Sequence, residues 1–211
     1  MSDSKQAVTV VKRVKNAVLY SNGHIKLENI VFSHPHVFEK YQGTAKPGDS
    51  NTPSFSCIAL MPKATHKEAK DLIKEEIARL CRENKVKDVA ADRKFITDGD
   101  QKAKDETVGM WVVSGRDSKN KPFVRDRAKN VIDSKDSHEI YGGAKGHMII
   151  RPWWCDNQYG KRVASGIIGI QKIADGEPFG DATRITDEDV DNMLDAEDDD
   201  GSVDVGDDDD L

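Results

Sequence analysis

The 211-residue chain has little of what a disulfide-rich or membrane-spanning protein shows in its sequence. Its three cysteines, Cys57, Cys81 and Cys155, are widely spaced and form no CxxC pair. This argues against a disulfide framework or a structural zinc site and fits a reducing compartment. No apolar run approaches the roughly 20 residues needed to cross a bilayer. The N-terminus lacks the apolar core of a signal peptide. We therefore expect a cytosolic protein that has no membrane partner.

Motifs of enzymes are also missing. The chain has no GxSxG, GxxxxGK[ST] or HExxH motif, and YGGAKG lacks the context of a phosphate-binding loop. His34 and His36 flank a proline without a third ligand, which is typical of a surface loop. We therefore expect a protein that is not an enzyme and needs neither a metal nor another cofactor.

Charge is abundant, and it is divided unevenly along the chain. The 14 acidic residues that follow Ile185 are accompanied by no Lys or Arg. All 32 basic residues therefore lie in residues 1–185, together with the remaining 24 of the 38 acidic ones. The body carries 32 − 24 = +8 and the tail −14. The body is a candidate polyanion binder, and the tail is itself a polyanion.

Five segments have strand character, and one has helical periodicity. The strands are predicted at residues 24–33, 54–61, 110–115, 146–154 and 163–173. The helix is predicted from a capping box at Thr65 and Glu68 to about Arg82. Its apolar stripe consists of Ala69, Leu72, Ile73, Ile77, Leu80 and Cys81. Residues 33–53 and 155–162 are predicted to be loop and turn. The order β-β-α-β-β-β, mainly β with one long helix, predicts a small closed barrel.

Aromatic residues lie among cations in three places. These are Phe38, Lys40 and Tyr41; Phe123, Arg125, Arg127 and Lys129; and Arg151, Trp153, Trp154, Tyr159, Lys161 and Arg162. Single-stranded nucleic acid requires this combination, because cations neutralise its backbone while flat rings stack on exposed bases at about 1–3 kcal/mol each. Trp153 and Trp154 point to opposite faces of one strand, so at least one belongs to the core. Trp111 and Phe55 are expected in the core.

The segment IYGGAKGHMIIRPWWCDNQYGKRVASGIIGIQKIADGEPFG (140–180) resembles the C-terminal part of the phage single-stranded DNA-binding protein family. FSHPHVFEK, TDGD and KPFVRD occur in the order that such proteins show. The resemblance implies a five-stranded OB-fold barrel with its helix between the second and third strands, followed by a disordered acidic tail. Tyr141 and Lys145, within this segment, join the expected DNA contacts.

This resemblance implies a division of labour along the chain. We expect an N-terminal segment (1–20), an OB-fold single-stranded DNA-binding domain (21–182) and a disordered acidic tail (183–211). Such a protein coats and protects single-stranded DNA, without sequence preference, in phage DNA replication, recombination and repair in the cytoplasm of the bacterial host. Its tail would compete with DNA and recruit DNA polymerase, helicase or primase; whether the chain forms a homodimer is left open. The tail ends in Asp207, Asp208, Asp209, Asp210 and Leu211, where well-studied relatives end in an aromatic residue.

Two other function classes stay open on the sequence alone. Asp126, Asp133 and Asp136 could form the carboxylate cluster of a metal-dependent nuclease. The acidic tail could instead belong to a chaperone or DNA mimic that binds basic proteins. The first would show turnover with a divalent metal, and the second would show no affinity for oligonucleotides.

Overall fold

The computed structural model describes residues 7–42, 52–102, 104–158, 160–179 and 192–194. The chain divides into two units, Met1–Gly180 and Asp181–Leu211. In the second unit only residues 192–194 are described, and the side chains of Met193 and Leu194 there are exposed.

Nine strands and one long helix are present among the described residues of the first unit. They are β1 (Val10–Val14), β2 (Ala17–Tyr20), β3 (Ile25–Tyr41), β4 (Ser54–Pro62), α1 (Lys67–Glu83), β5 (Ile96–Asp98), β6 (Met110–Asp117), β7 (Phe123–Arg125), β8 (Lys145–Asn157) and β9 (Gly160–Ala174). The five predicted strands correspond to β3, β4, β6, β8 and β9. The helix lies between the second and third of these, so the mainly-β prediction with one long helix is confirmed.

The strands form one curved sheet in the order β5-β6-β4-β3-β8-β9-β7, with β2 and β1 added beside the first part of β3. The long strand β3 pairs with three neighbours, because residues 25–27 pair with β2, residues 25–31 pair with β8 and residues 31–41 pair with β4. The sheet curls until β6 approaches β9. There the Ser165 hydroxyl donates to the Ser114 carbonyl at 2.5 Å, and no regular ladder joins the two strands in the described chain. A partly open five-stranded barrel of this kind is the OB architecture.

Aliphatic side chains from alternate strand positions fill the barrel. Ile25 and Leu27 on β3 and Met148 and Ile150 on β8 are fully buried. Each such side chain stabilises the fold by about 1.5–3 kcal/mol relative to exposure. The apolar stripe predicted for α1 is buried along its whole length against this core. Among the described residues, no helix is long and apolar enough to cross a bilayer. The three cysteines are free thiols.

The predicted loop after the first strand is wrong over its first half, because β3 continues to Tyr41. Proline normally interrupts a ladder since it has no amide hydrogen to donate. Here Pro35 falls at an irregularity where the register against β4 shifts between Ser33 and His36, and His34 takes a positive φ of 47°. The chain therefore bends at the proline and resumes pairing beyond it.

The capping box is also wrong, although the helix ends are close to those predicted. The N-cap position is His66, and no side chain caps the first turn. The Thr65 hydroxyl contacts the His66 ring at 2.9 Å instead. The Glu68 carboxylate accepts from the backbone amide of Lys15 at 3.1 Å, so it ties the helix to the β1–β2 turn.

Two further segments are more ordered than their composition indicated. The N-terminal segment contributes β1 and β2, joined by a tight turn in which Asn16 has a positive φ of 64°. Residues 155–162 are mostly strand, because β8 extends to Asn157 and β9 begins at Gly160. β1 and β2 are short and lack regular apolar alternation, and residues 155–162 are polar, so neither segment carried the pattern that reveals a strand.

Candidate nucleic-acid interface

The side chains of β8 alternate between the core and the outer surface of the sheet. Met148, Ile150 and Pro152 are buried, and the residues between them face outward. Directly opposite Trp153 and Arg151 on β9 lie only Ala164 and Gly166. Because these residues are small, no large side chain of β9 covers the side chains of Trp153 and Arg151. The outward-facing row of β8 consists of Lys145, His147, Ile149, Arg151, Trp153 and Cys155.

One end of this row opens into a cavity of about 430 Å³, here named the Trp153 cavity. Trp153 is 39% exposed there, and two guanidinium-bearing residues share the lining, Arg116 from β6 and Arg162 from β9. Ser114 and Ser165, which meet where β6 approaches β9, also line it. A flat ring beside two permanent cations and small hydroxyl side chains suits a base and its flanking phosphates.

The two arginines of this cavity differ in how they are held. The Arg116 guanidinium donates to the Ser54 hydroxyl at 2.5 Å and to the Thr52 carbonyl at 2.9 Å, which fixes its direction. The Nε atom of Arg162 is buried without a hydrogen-bond partner in the described part of the chain. A buried donor left unpaired costs free energy unless something else accepts from it. Arg162 is therefore the cation of this cavity that most needs an external acceptor.

A second cavity of about 250 Å³ lies further along the same strands, here named the Phe123 cavity. Phe123 is 64% exposed, and the Arg125 guanidinium stands 5.6 Å from the centroid of its ring. Lys129, Lys26 and the outward residues His147 and Ile149 complete the lining on either side. β7 approaches β9 so closely that a Cβ at Gly169 would lie 2.7 Å from the Phe123 carbonyl oxygen, so only glycine fits at that position.

A hairpin (123–131) carries two of the cations of the Phe123 cavity, Arg125 and Lys129. At its turn the Asp126 carboxylate accepts from the Asn130 backbone amide at 2.7 Å and from the Asn130 side chain at 2.8 Å. Chiefly through these bonds the pKa of Asp126 lies below its ordinary value. The Gln171 side chain donates to the Asp126 carbonyl at 3.1 Å and so fastens the hairpin to β9. Asp126 thus supports the turn that presents Arg125 and Lys129.

A pair of stacked rings lies at the end of β3. His36 and Tyr41 stack with their centroids 4.3 Å apart and their planes 9° from parallel, and Tyr41 is 53% exposed. His36 is opposite Ser56 on β4, and Ser56 is opposite Arg116 on β6. Directly opposed residues share one side of a sheet. The stacked pair, the Trp153 cavity and the Phe123 cavity therefore lie on one surface, here named the basic face.

Several predicted contact residues do not belong to the basic face. Phe38, Tyr141 and Trp154 pack against the core, which confirms that the two tryptophans of RPWW separate. Lys40 lies over the ring of buried Phe55 at 5.6 Å. The opposite pairing of Lys161 with Asp156 places Lys161 on the Trp154 side of the ladder, and Arg127 is exposed at the hairpin turn. Tyr159 and the tail residues 207–211 lie outside the described residues.

Tyr141 has a structural task instead. Its hydroxyl contacts the Asp175 carboxylate and the Gly176 carbonyl at 3.0 Å each, and accepts from the Gly176 amide at 3.2 Å. The chain after β9 is thereby folded back over YGGAKG. At Gly143, where φ is 111°, a Cβ would lie 1.9 Å from the Glu177 carbonyl oxygen. YGGAKG, which lacks the context of a phosphate-binding loop, is a site of close backbone packing.

Sequence reasoning missed Arg116, Lys26, His36 and His147. Arg116 lies in the basic stretch that begins at residue 116, and alternation along β6 places it on the same side as Ser114. That alternation was the available signal. Lys26 and His147 lie between apolar residues on predicted strands, and His36 lies in a segment that was predicted to be a loop.

Most cations of the basic face lack carboxylate partners, whereas the Lys26 ammonium contacts the Glu28 carboxylate at 2.9 Å. Within the described residues, none of Arg116, Arg125, Lys129, Arg151 and Arg162 has a carboxylate oxygen within 4.0 Å. Burial raises the pKa of Asp117, but hydrogen bonds from the Asn120 and Lys119 amides and the charge of Arg151 outweigh it, so this carboxyl stays ionised. Burial and the charge of Lys26 lower the pKa of His147, so the imidazole is neutral at pH 7. The surface presents fixed positive charge to solvent.

The residues that could form a metal or nuclease centre are not brought together. No group of three or more His, Cys, Asp or Glu side chains in the described ranges is arranged to hold a metal ion. His34 contacts the Ser33 hydroxyl at 2.7 Å, whereas His36 stacks on Tyr41. Asp133 precedes a short helical turn (Ser134–Glu139) that contains Asp136, and the Asp136 amide donates to the Asp133 carbonyl.

The chain is similar in sequence and fold to known proteins. A family model described as Enterobacter phage Enc34, ssDNA-binding protein matches residues 23–201. The single-stranded DNA-binding protein of bacteriophage Enc34, in a structure with ssDNA, is 38% identical to this chain. The match covers 83% of this chain and 99% of that protein's chain, with a TM-score of 0.74. Its C-terminal truncation is 39% identical over 82% of this chain and 98% of that chain, with a TM-score of 0.73. No curated protein matches.

Proposed function

Because the chain belongs to the family of the Enterobacter phage Enc34 single-stranded DNA-binding protein, a non-enzymatic family, we propose that it binds single-stranded DNA on its basic face. Binding without sequence preference would coat and protect the strand during phage DNA replication, recombination and repair in the cytoplasm of the host cell. Stacking and phosphate neutralisation suffice for such binding, because every base has a flat face and every nucleotide a phosphate.

The observation that carries this proposal is that exposed rings lie beside cations without carboxylate partners on one surface. Trp153 lies beside Arg116 and Arg162, and Phe123 lies beside Arg125 and Lys129. Between the two rings, Arg151 projects over Gly166 on the same side of the ladder. A strand that follows β8 would meet a ring, a cation and a second ring in succession, with phosphates on the flanking arginines.

The family implies a second component in the acidic tail, which we propose to compete with DNA for the basic face. A coil of about 26 residues spans roughly 28 Å, against a radius of gyration of roughly 16 Å for a domain of about 185 residues. The tail is therefore long enough to reach the basic face, at an effective concentration on the order of millimolar. DNA would displace it and free it for a DNA polymerase, helicase or primase. A homodimer is a further proposal, which sedimentation of the free chain would test.

Titration of a fluorescent oligo-dT with the full chain tests the proposal. We expect saturable binding with quenching of tryptophan fluorescence, and a linear fall of log affinity with log salt, at a slope of about −0.7 per phosphate neutralised. Absence of binding would favour the DNA-mimic class. Cleavage of the oligonucleotide with Mg²⁺ or Mn²⁺ that survives purification would favour a nuclease.

Deleting the residues after Arg184 tests the tail. We expect the shortened protein to bind oligo-dT about tenfold more tightly at low salt, because a tethered polyanion at millimolar effective concentration no longer competes. The gain should shrink as salt screens the tail. Equal or weaker binding by the shortened protein would contradict the competition while leaving DNA binding itself intact.

A further inference from the structure

Ser54 is a buried polar residue at the start of β4, and the proposed DNA contacts do not include it. It is 2% exposed, which is too little for direct contact with a strand on the basic face. Its hydroxyl oxygen accepts from Nε of Arg116 at 2.5 Å. The same guanidinium donates through Nη2 to the Thr52 carbonyl at 2.9 Å. An effect of Ser54 on DNA binding would therefore act through Arg116 or through the stability of the fold.

The strand register shows where the guanidinium is held. Arg116 is opposite Ser56 on β4, and Ser54 lies two residues from Ser56 on the same side of that strand. The side chain of Arg116 therefore leans along β4 towards Ser54. Ser54 is itself opposite Tyr41 on β3. The guanidinium is thus held at the edge of the Trp153 cavity that lies towards Tyr41.

The two bonds also decide which donors of Arg116 remain for a ligand. A guanidinium has five N–H donors in one rigid plane. Ser54 takes the donor on Nε and Thr52 takes one on Nη2, so three remain, at the end of the group that carries Nη1 and Nη2. That end matches two oxygens of one phosphate side by side. The protein therefore occupies one side of the guanidinium and leaves its end to a phosphate.

We propose that Ser54 is a positioning residue for DNA binding, because it holds Arg116 in the direction in which the end of its guanidinium receives a phosphate. This inference rests on the proposed function. A side chain that is already held loses less rotamer freedom when the ligand binds. Arg162 in the same cavity has no such bond, since its Nε has no partner in the described part of the chain.

A double-mutant cycle on oligo-dT affinity tests this role. Arg116→Ala should weaken binding about 20-fold, because a charged hydrogen-bond donor is lost. Ser54→Ala should weaken binding about fivefold, because DNA then has to immobilise the Arg116 side chain. The variant with both changes should bind within about twofold of Arg116→Ala, because nothing is left to position. The salt slope should fall by about 0.7 in Arg116→Ala and stay constant in Ser54→Ala, which keeps the charge.

Three further variants separate positioning from a general loss of stability. Ser54→Thr keeps a hydroxyl and should bind oligo-dT as the unmodified chain does. Ser54→Cys keeps the volume but accepts hydrogen bonds weakly, so it should match Ser54→Ala and replaces it in the cycle if the alanine variant does not fold. Ser33→Ala is the matched control, because Ser33 is also 2% exposed and lines neither cavity. It should keep full affinity, with the free energy of unfolding measured in parallel.

Equal factors for the change at Ser54 with and without Arg116 would overturn the positioning role, because Ser54 would then act through the fold. Unchanged binding by Ser54→Ala would overturn it as well. Both results leave binding by the unmodified chain intact. They are therefore distinct from failure of the proposed function, in which the unmodified chain does not bind oligo-dT and both proposals fall.

Discussion

The basic face and the surface around α1 carry similar numbers of cations, but they use them differently. Around α1, Lys63 contacts Asp98 and Asp100, and Lys67 and Lys70 both contact Asp71. A hydrogen bond from Lys70, and to a smaller extent one from Lys67, lowers the pKa of Asp71 to about 2. On the basic face the arginines have hydroxyl or carbonyl partners, or none. Composition counts both surfaces as basic, and only the neighbours of each cation decide which one attracts a polyanion.

Removing cations from each surface in turn gives the largest expected contrast. Arg151→Ala/Arg162→Ala should weaken oligo-dT binding about 100-fold, since each charged hydrogen bond contributes about 1.5–3 kcal/mol. The salt slope should fall by about 1.4, because two phosphates lose their partners. Lys67→Ala/Lys104→Ala, which removes two exposed cations with carboxylate neighbours, should change the affinity less than twofold. Equal losses in the two variants would erase the distinction between the surfaces.

The adjacent tryptophans sharpen the comparison on a single strand. Trp153→Ala should weaken oligo-dT binding by about 1–2 kcal/mol, roughly 5- to 30-fold, because a stacking platform is lost. Its free energy of unfolding should barely change, since the ring is exposed. Trp154→Ala should reverse the pattern and lower the free energy of unfolding by at least about 2 kcal/mol, because it leaves a hole beside the core. Denaturant titration and fluorescence titration of both variants measure the two quantities.

The pH dependence of binding gives the smallest effect. Burial and Lys26 lower the pKa of His147, and a phosphate in the Phe123 cavity would raise it again, so binding takes up a proton. Affinity should rise about threefold as pH falls from about 7.5 to about 5.5. Over the same range the fold loses stability, because the unfolded imidazole binds a proton at higher pH than the folded one does.

The variant His147→Gln isolates this effect. It should flatten the pH dependence of affinity, whereas His138→Gln, a change outside both cavities, should leave it in place. A pH dependence that persists in His147→Gln would assign the proton to another group, such as His36, whose pKa burial also lowers.

The frame of the fold could be predicted because it depends on apolar alternation. Ile25 and Leu27, or Met148 and Ile150, repeat at the period of a strand, and the stripe of α1 repeats at that of a helix. The β1–β2 hairpin could not be found this way, since its strands are short and the first is exposed. β7 could not be found by alternation either, because it is only three residues long. It fits beside β9 because Gly169 has no side chain.

The site was predicted in part, for a similar reason. Residue type identified Trp153, Phe123 and Arg162 as suited to single-stranded DNA, and the structure brings them to one surface. Type alone could not separate Trp153 from Trp154, or show that the hydroxyl of Tyr141 is engaged by the backbone after β9. Alternation along β6 places Arg116 on the outward side, but its position beside Trp153 depends on the approach of β6 to β9, which no local pattern contains.

Because β6 and β9 meet through one hydroxyl rather than a ladder in the described chain, we expect that junction to open more easily than the laddered strand pairs. A ladder would fix the separation of the strands at every second residue, whereas Ser165 bonds Ser114 at a single point. Both serines line the Trp153 cavity, so the cavity would widen if the two strands moved apart. A slot whose walls can part accommodates purines and pyrimidines alike. Indifference to base identity would then be a mechanical property of the barrel as much as a chemical property of its rings.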